Sequence, residues 1–150
     1  MPSAERAAAF DFLTTYMDVP NVPRREELYP YATLLKLATD LWANAAANSP
    51  KPYVPYIPAG WDPRPWHDPR ASFEMPTREE WLAALRSARK AMDSNERLTI
   101  PSKEGPVKMV LIYAWNEFGE GGIVAPREGR GDMMLDGIRE IFSAPDAARR

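Results

Sequence analysis

The 150-residue sequence contains no cysteine and a single histidine, His67. The first absence excludes a disulfide framework, thiolate metal sites and a cysteine nucleophile. With one histidine, neither a multi-histidine metal site nor a Ser-His-Asp relay can be assembled without His67. A basic excess is also missing: 19 Lys and Arg stand against 21 Asp and Glu, a formal net charge of -2. Holding a phosphate backbone needs the opposite balance, so no nucleic acid partner is expected. No apolar run approaches the roughly 18–20 residues that cross a bilayer, so no membrane span is expected. The opening MPSAERAAAF carries Glu5 and reaches Asp11 without a long apolar core. It does not read as a secretory signal, and a cytoplasmic location is the default expectation.

Apolar residues make up 45% of the chain and charged residues 27%, the balance of one soluble globular domain rather than a disordered tail. Proline is the outlier. Its 16 occurrences are about twice the usual share, and five fall between Pro50 and Pro63, with Pro65, Pro69 and Pro76 close behind. Each ring removes an amide donor and biases its predecessor to extended geometry, so this stretch cannot be helix. Tyr53, Val54, Tyr56, Ile57, Trp61 and Trp66 are too apolar for a solvated linker. A strand leading into an ordered loop is expected instead.

Three helices are predicted around it. From Tyr31, residues Leu34, Leu35, Ala38, Leu41, Trp42 and Ala45 recur at steps of three and four and form one stripe. Thr77 and Glu80 make a capping-box pattern ahead of a face of Trp81, Leu82, Leu85, Ala88 and Met92, with Asn95 as the stop. The third helix starts near Asp132, buries Met134, Leu135, Ile138, Ile141 and Phe142, and cannot continue past Pro145. Extended runs alternate with them: Phe10 to Met17, the proline-rich segment, and Val107 to Trp115. The last is nearly continuous and apolar, as for a strand covered on both faces.

Repeated βα units imply parallel strands with right-handed crossovers. Three units are too few for a doubly wound sheet, and a (β/α)8 barrel takes about 250 residues. The expected fold is therefore α/β, the C-terminal three βα units of an incomplete (β/α)8 TIM-type barrel, with residues 1–150 as a single partial domain. The partner expected on this reading is the N-terminal part of the barrel.

In such folds chemistry sits at the carboxyl ends of the strands, here Thr14 to Met17, Ala59 to Trp66, and Asn116 to Gly122. The third holds Glu117 and Glu120 in a Gly-rich turn after the apolar strand. Two carboxylates there suit glycosidic cleavage, one giving a proton while the other stays ionised. They equally suit solvated loop positions or salt bridges to Arg127 or Arg130. Asn116 either binds a sugar hydroxyl or caps a turn. In Gly60 to His67, Trp61 can pack on a pyranose face while Asp62 and Arg64 bond hydroxyls. The alternative is a core Trp61 beside an Asp62–Arg64 loop pair, with Trp66 and His67 doing nothing specific. Thr14, Thr15 and Tyr16 either line a sugar site or pack.

The segment AWNEFGEGGIVAPREGRGDMMLDGIREIF resembles the C-terminal signature of glycoside hydrolase family 99 and of the WbsX-like proteins. There a strand ends in Asn-Glu-Trp-x-Glu-Gly, followed by a proline-containing loop, a glycine and a last helix. YIPAGWDPRPW is similar to the Gly-Trp-Asp segment ending their preceding strand. The likeness covers most of Phe10 to Phe142. It implies a carbohydrate substrate and no metal or organic cofactor. It further implies that Glu117 assists the sugar 2-hydroxyl in attacking the anomeric carbon, while Glu120 serves as general acid and then base. Trp61, Asp62, Arg64, Tyr16, Trp115 and Asn116 are the accompanying substrate-binding candidates. WbsX-like members are instead associated with polysaccharide biosynthesis and labelled glycosyltransferases. Phe118 replaces the usual Trp, Gly119 stands where the endo-mannosidases have His, and Pro63 follows Gly-Trp-Asp where WbsX-like proteins tend to have Asn. Both acids persist, so the likeness carries the general chemistry and not an α-mannan specificity.

Overall fold

The computed structural model describes residues 2–17, 19 and 22–143. In chain order these form α1 (Ala4–Ala7), α2 (Tyr31–Asn48), β1 (Tyr56–Pro58), α3 (Arg78–Ser94), β2 (Leu111–Tyr113), β3 (Asn116–Glu117), β4 (Gly122–Ile123) and α4 (Met133–Phe142). Short 3-10 turns cover Arg64–Trp66, Glu96–Leu98 and Phe118–Glu120. The fold is α/β, with two small sheets. No helix among the described residues is long and apolar enough to cross a membrane.

The helices follow the sequence closely. In α2 the stripe Tyr31, Leu34, Ala38, Trp42 and Ala45 is buried, with Leu35 and Leu41 half-buried beside it. At the start of α3 the Glu80 amide donates to Thr77 Oγ1 at 3.2 Å, and the Thr77 amide donates to Glu80 Oε2 at 2.9 Å. Two otherwise orphaned donors are thereby satisfied. All five residues expected on the inner face of α3 are buried, together with Ala84. Asn95 ends the helix, and its side chain accepts from the Arg97 amide.

In α4 one expectation is corrected. Met134 and Ile141 are buried and Leu135 and Ile138 are half-buried, but Phe142 is exposed. Gly137 explains the rotation. It completes the inward stripe 134–137–141 without a side chain, and an added Cβ would lie 2.7 Å from Trp81 Cδ1. The helix backbone therefore rests on the Trp81 indole, which donates to the Met134 carbonyl at 2.9 Å. Asp132 caps through its backbone carbonyl, which accepts from the Asp136 amide at 2.8 Å, and not through its side chain. Pro145, the expected stop, lies outside the described residues.

The strands are shorter than expected. β1 and β2 pair in parallel, Tyr56 opposite Leu111 and Pro58 opposite Tyr113. The Phe10 to Met17 run contributes a single parallel bridge, Leu13 to Tyr53. Proline is the cause: Pro52, Pro55 and Pro58 each remove an amide from the ladder. Their carbonyls remain in use, with Pro52 accepting from Leu13 and Pro55 from Leu111. Alternate residues face opposite ways, so Leu13 and β2 flank the 52–58 segment on opposite sides. On the Leu13 flank, where no strand continues, the carbonyls of Tyr56 and Pro58 accept instead from Trp42 Nε1 at 3.0 Å and the Tyr31 hydroxyl at 2.8 Å, both from α2. Buried backbone acceptors are thus satisfied by helix side chains where sheet is lacking.

The Val107 to Trp115 run is not covered on both faces. Its first part turns back on Ile100 through an antiparallel bridge to Val107. Among the described residues nothing pairs with the outer edge of β2. Val107 is 46% exposed, Leu111 39% and Trp115 56%, and of these Leu111 belongs to β2, which has β1 as its one neighbouring strand among the described residues. Trp61, Trp81, Tyr31, Tyr56, Phe73 and Ile57 are fully buried in one packed core.

Candidate active site

Beyond the carboxyl ends of β1 and β2 the two sequence motifs meet. The Ala59 amide donates to the Tyr113 carbonyl at 2.6 Å, and the Asp62 amide donates to the Glu120 carbonyl at 2.7 Å. Between these bonds the backbones touch. Gly60 has φ +146° and Gly121 φ +72°, and a Cβ built on Gly60 would sit 2.5 Å from the Gly121 carbonyl oxygen. Only glycine fits such an approach. The Trp66 indole occupies the space that a side chain on Gly119 would need. The Gly-Trp-Asp loop and the Asn-Glu turn therefore form one body.

Trp61 lies beneath this junction and is fully buried. Its carbonyl accepts from the Phe73 amide at 2.6 Å, and the Arg70 guanidinium carbon stands 4.4 Å from the centre of its ring system, within cation–π range. Trp61 Nε1 is the buried side-chain atom without a hydrogen-bond partner among the described residues. Trp61 is thus core and not an open sugar platform. Asp62 and Arg64 form the loop pair that was its alternative: Arg64 Nε and Nη2 each reach one carboxylate oxygen at 2.7 Å. Those bonds hold the Asp62 carboxyl below the usual carboxylate range, against the opposing effect of burial. The same arrangement recurs at Asp68 and Arg70, with contacts of 2.8–3.1 Å. His67 is exposed in a left-handed conformation, φ 55°, closing the Arg64–Trp66 turn.

The two acids occupy different surroundings. Glu120 is half-buried, and its Oε2 accepts a hydrogen bond from the Tyr113 hydroxyl. Arg70 is close enough for its charge to respond to that of Glu120. Glu117 is exposed in the β3–β4 hairpin, where it pairs by backbone with Gly122, and its side chain has no hydrogen bond or ion pair among the described residues. Neither acid is bridged to Arg127 or Arg130. Arg127 Nη2 instead lies 3.0 Å from Met75 Sδ, and Arg130 donates to the Pro76 carbonyl. Asn116 and Trp115 are exposed next to Glu117, with Asn116 paired through its backbone to Ile123.

Tyr16 is 68% exposed, with its ring edge-on to Tyr113 at 4.6 Å and its hydroxyl 3.5 Å from that of Tyr113. A cavity of about 310 Å³ opens here, lined by Thr14, Thr15, Tyr16, Tyr56, Ile112 and Tyr113. That is at the lower end of the size range of small-ligand sites. A larger groove of about 440 Å³ between α2 and α3 is distant from both motifs. No group of three or more His, Asp or Glu among the described residues is placed to hold a metal ion.

Two residues of this region were not singled out in the sequence. Arg70 had a signal, because Asp-Pro-Arg occurs twice, at 62–64 and 68–70, and both copies close the same chelate. Tyr113 had only its place inside an apolar run. Burial, then the bond to Glu120, raises the Tyr113 phenol far above its ordinary value. Burial does the same to Tyr31. Below about pH 10 these phenols are neutral in both folded and unfolded chains. Above it the unfolded chain ionises them while the fold keeps them protonated, so stability falls as pH rises. Urea midpoints are expected to decline from pH 10 to 11, and less steeply in Tyr113→Phe. Equal midpoints at pH 9 and pH 11 would contradict this.

No family model, curated protein or solved structure matches the chain.

Proposed function

We propose that this chain forms the sugar-facing end of a carbohydrate-active enzyme, a retaining glycoside hydrolase similar to family 99 acting on a polysaccharide or glycan. The observation that carries the reading is the Asp62 amide to Glu120 carbonyl bond of 2.7 Å, which joins the two motifs of the resemblance at one strand end. The unequal surroundings of the two acids support a division of labour. In this reading the Glu117 carboxylate takes the proton of the sugar 2-hydroxyl as that oxygen attacks the anomeric carbon. Glu120 gives its proton to the departing glycosidic oxygen. Water then opens the anhydro-sugar, losing a proton to Glu120 while Glu117 returns one to the 2-oxygen. Configuration is retained, and no glycosyl ester to the protein forms.

One observation favours a second element of the reading, an incomplete (β/α)8 barrel. The outer edge of β2, unpaired among the described residues and with Leu111 exposed, is an unusual way for a finished sheet to end. An eight-unit barrel would supply the missing wall of the pocket. The purified 150-residue chain is therefore expected to show little or no turnover on a glycan panel. A polypeptide that completes the barrel is expected to release products of retained anomeric configuration by NMR. Robust turnover by the chain alone would overturn the incomplete-barrel reading, and inverted products would overturn the paired-acid mechanism.

A further inference from the structure

We propose that Tyr113 is a positioning residue for Glu120, reserving Oε1 as the oxygen that exchanges a proton. The catalytic consequence rests on the glycosidase reading above, whereas the contact itself rests on geometry. Tyr113 is 4% exposed, and its ring is held on three sides. Tyr16 meets it edge-on at 4.6 Å, Trp61 lies at 5.9 Å, and Gly122 leaves room where a Cβ would stand 2.8 Å from Tyr113 Cε1. Its backbone is anchored by the Ala59 amide.

A phenol has one proton to give. Tyr16 donates to the Tyr113 oxygen, and Tyr113 donates to Glu120 Oε2, so the chain of donors points one way and ends on the carboxyl group. Among the described residues Tyr113 is the hydrogen-bond partner of the Glu120 carboxyl group, which leaves this bond to select the Glu120 rotamer. When Glu120 is protonated, the oxygen accepting from Tyr113 is better as the carbonyl oxygen, the stronger acceptor. The proton then resides on Oε1, and a sugar oxygen placed against Oε1 meets the acid and one against Oε2 does not.

Side-chain coupling constants of Glu120, measured by NMR on the 150-residue chain, test this without any substrate. The native chain is expected to show a single rotamer. Tyr113→Phe keeps the ring and removes the hydroxyl, and is expected to give averaged couplings at Glu120 with those of Glu117 unchanged. A ring that only packs would leave both residues as they were. Should Tyr113→Phe lose its cooperative melt, Glu120→Ala decides. Exchange of the Tyr113 hydroxyl proton with water is expected to accelerate at least roughly tenfold once its acceptor is gone. Averaged Glu120 couplings in the native chain, identical couplings in folded Tyr113→Phe, or unchanged hydroxyl exchange in Glu120→Ala would overturn the proposal. Failure of the glycosidase reading would appear elsewhere, as undiminished glycan turnover in Glu120→Gln.

Discussion

Gly60→Ala is expected to destabilise the chain by about 2–6 kcal/mol, summing a backbone held at an unfavourable positive φ and an overpacked contact. The added Cβ would lie 2.5 Å from the Gly121 carbonyl oxygen and 3.4 Å from Met75 Cε and Cγ. Met75 is flexible and can move. The carbonyl belongs to a backbone held on one side by the Asp62 amide bonding Glu120 and on the other by the pairing of Gly122 with Glu117, and cannot. Relief must come from separating the Gly-Trp-Asp loop from the Asn-Glu turn, which breaks the site. Gly105→Ala supplies the comparison, since Gly105 also has positive φ, +111°, but nothing within 4 Å of its Cβ position. It is expected to cost only the backbone part, about 1–3 kcal/mol. Urea unfolding of both variants measures the difference. Equal losses would mean that the two loops are not clamped as described.

The second large effect is chemical. Glu120→Gln is expected to lower turnover of ordinary glycosides about 10²–10⁴-fold in a polypeptide with a complete pocket, the usual contribution of a positioned acid–base group. The substitution preserves size, and its amide oxygen can still accept from Tyr113, so the fold should be retained. Formation of the anhydro-sugar from substrates with a strongly acidic leaving group should be far less affected, because such a group departs without protonation. Glu117→Gln should slow ordinary and activated substrates alike, since 2-hydroxyl attack is needed for both. Native turnover in Glu120→Gln would exclude it as the acid. Equal losses on both substrate types would assign it a different role.

Much of the fold was legible because helices announce themselves locally. The α2 stripe, the Thr77–Glu80 cap and the inner face of α3 depend on neighbours three and four residues away, and periodicity reports those directly. Strand length was not legible in the same way. The 52–58 segment is extended as its prolines require, yet how much ladder it makes depends on which carbonyls find distant donors. The apolar run ending at Trp115 looked doubly covered, but composition cannot count the strands available to cover it. At the site, the short motifs marked the right places and left the partners undecided. Asp62 proved to be bound to Arg64, and Arg127 and Arg130 proved to be engaged by Met75 and Pro76.

By itself the sequence determined the helices and their caps, the extended proline-rich segment, the exclusion of cysteine chemistry, and the two loops worth watching. All of these follow from local sterics, residue identity or a repeat of three to four residues. Only the tertiary structure decided that Gly60 meets Gly121, that Gly137 seats α4 on Trp81, that nothing among the described residues pairs with the outer edge of β2, and that Tyr113 bonds Glu120 while the Glu117 side chain has no partner among the described residues. Each of those is a contact between residues distant in the chain or a choice among competing hydrogen-bond partners, and it is settled by which surfaces packing brings within reach.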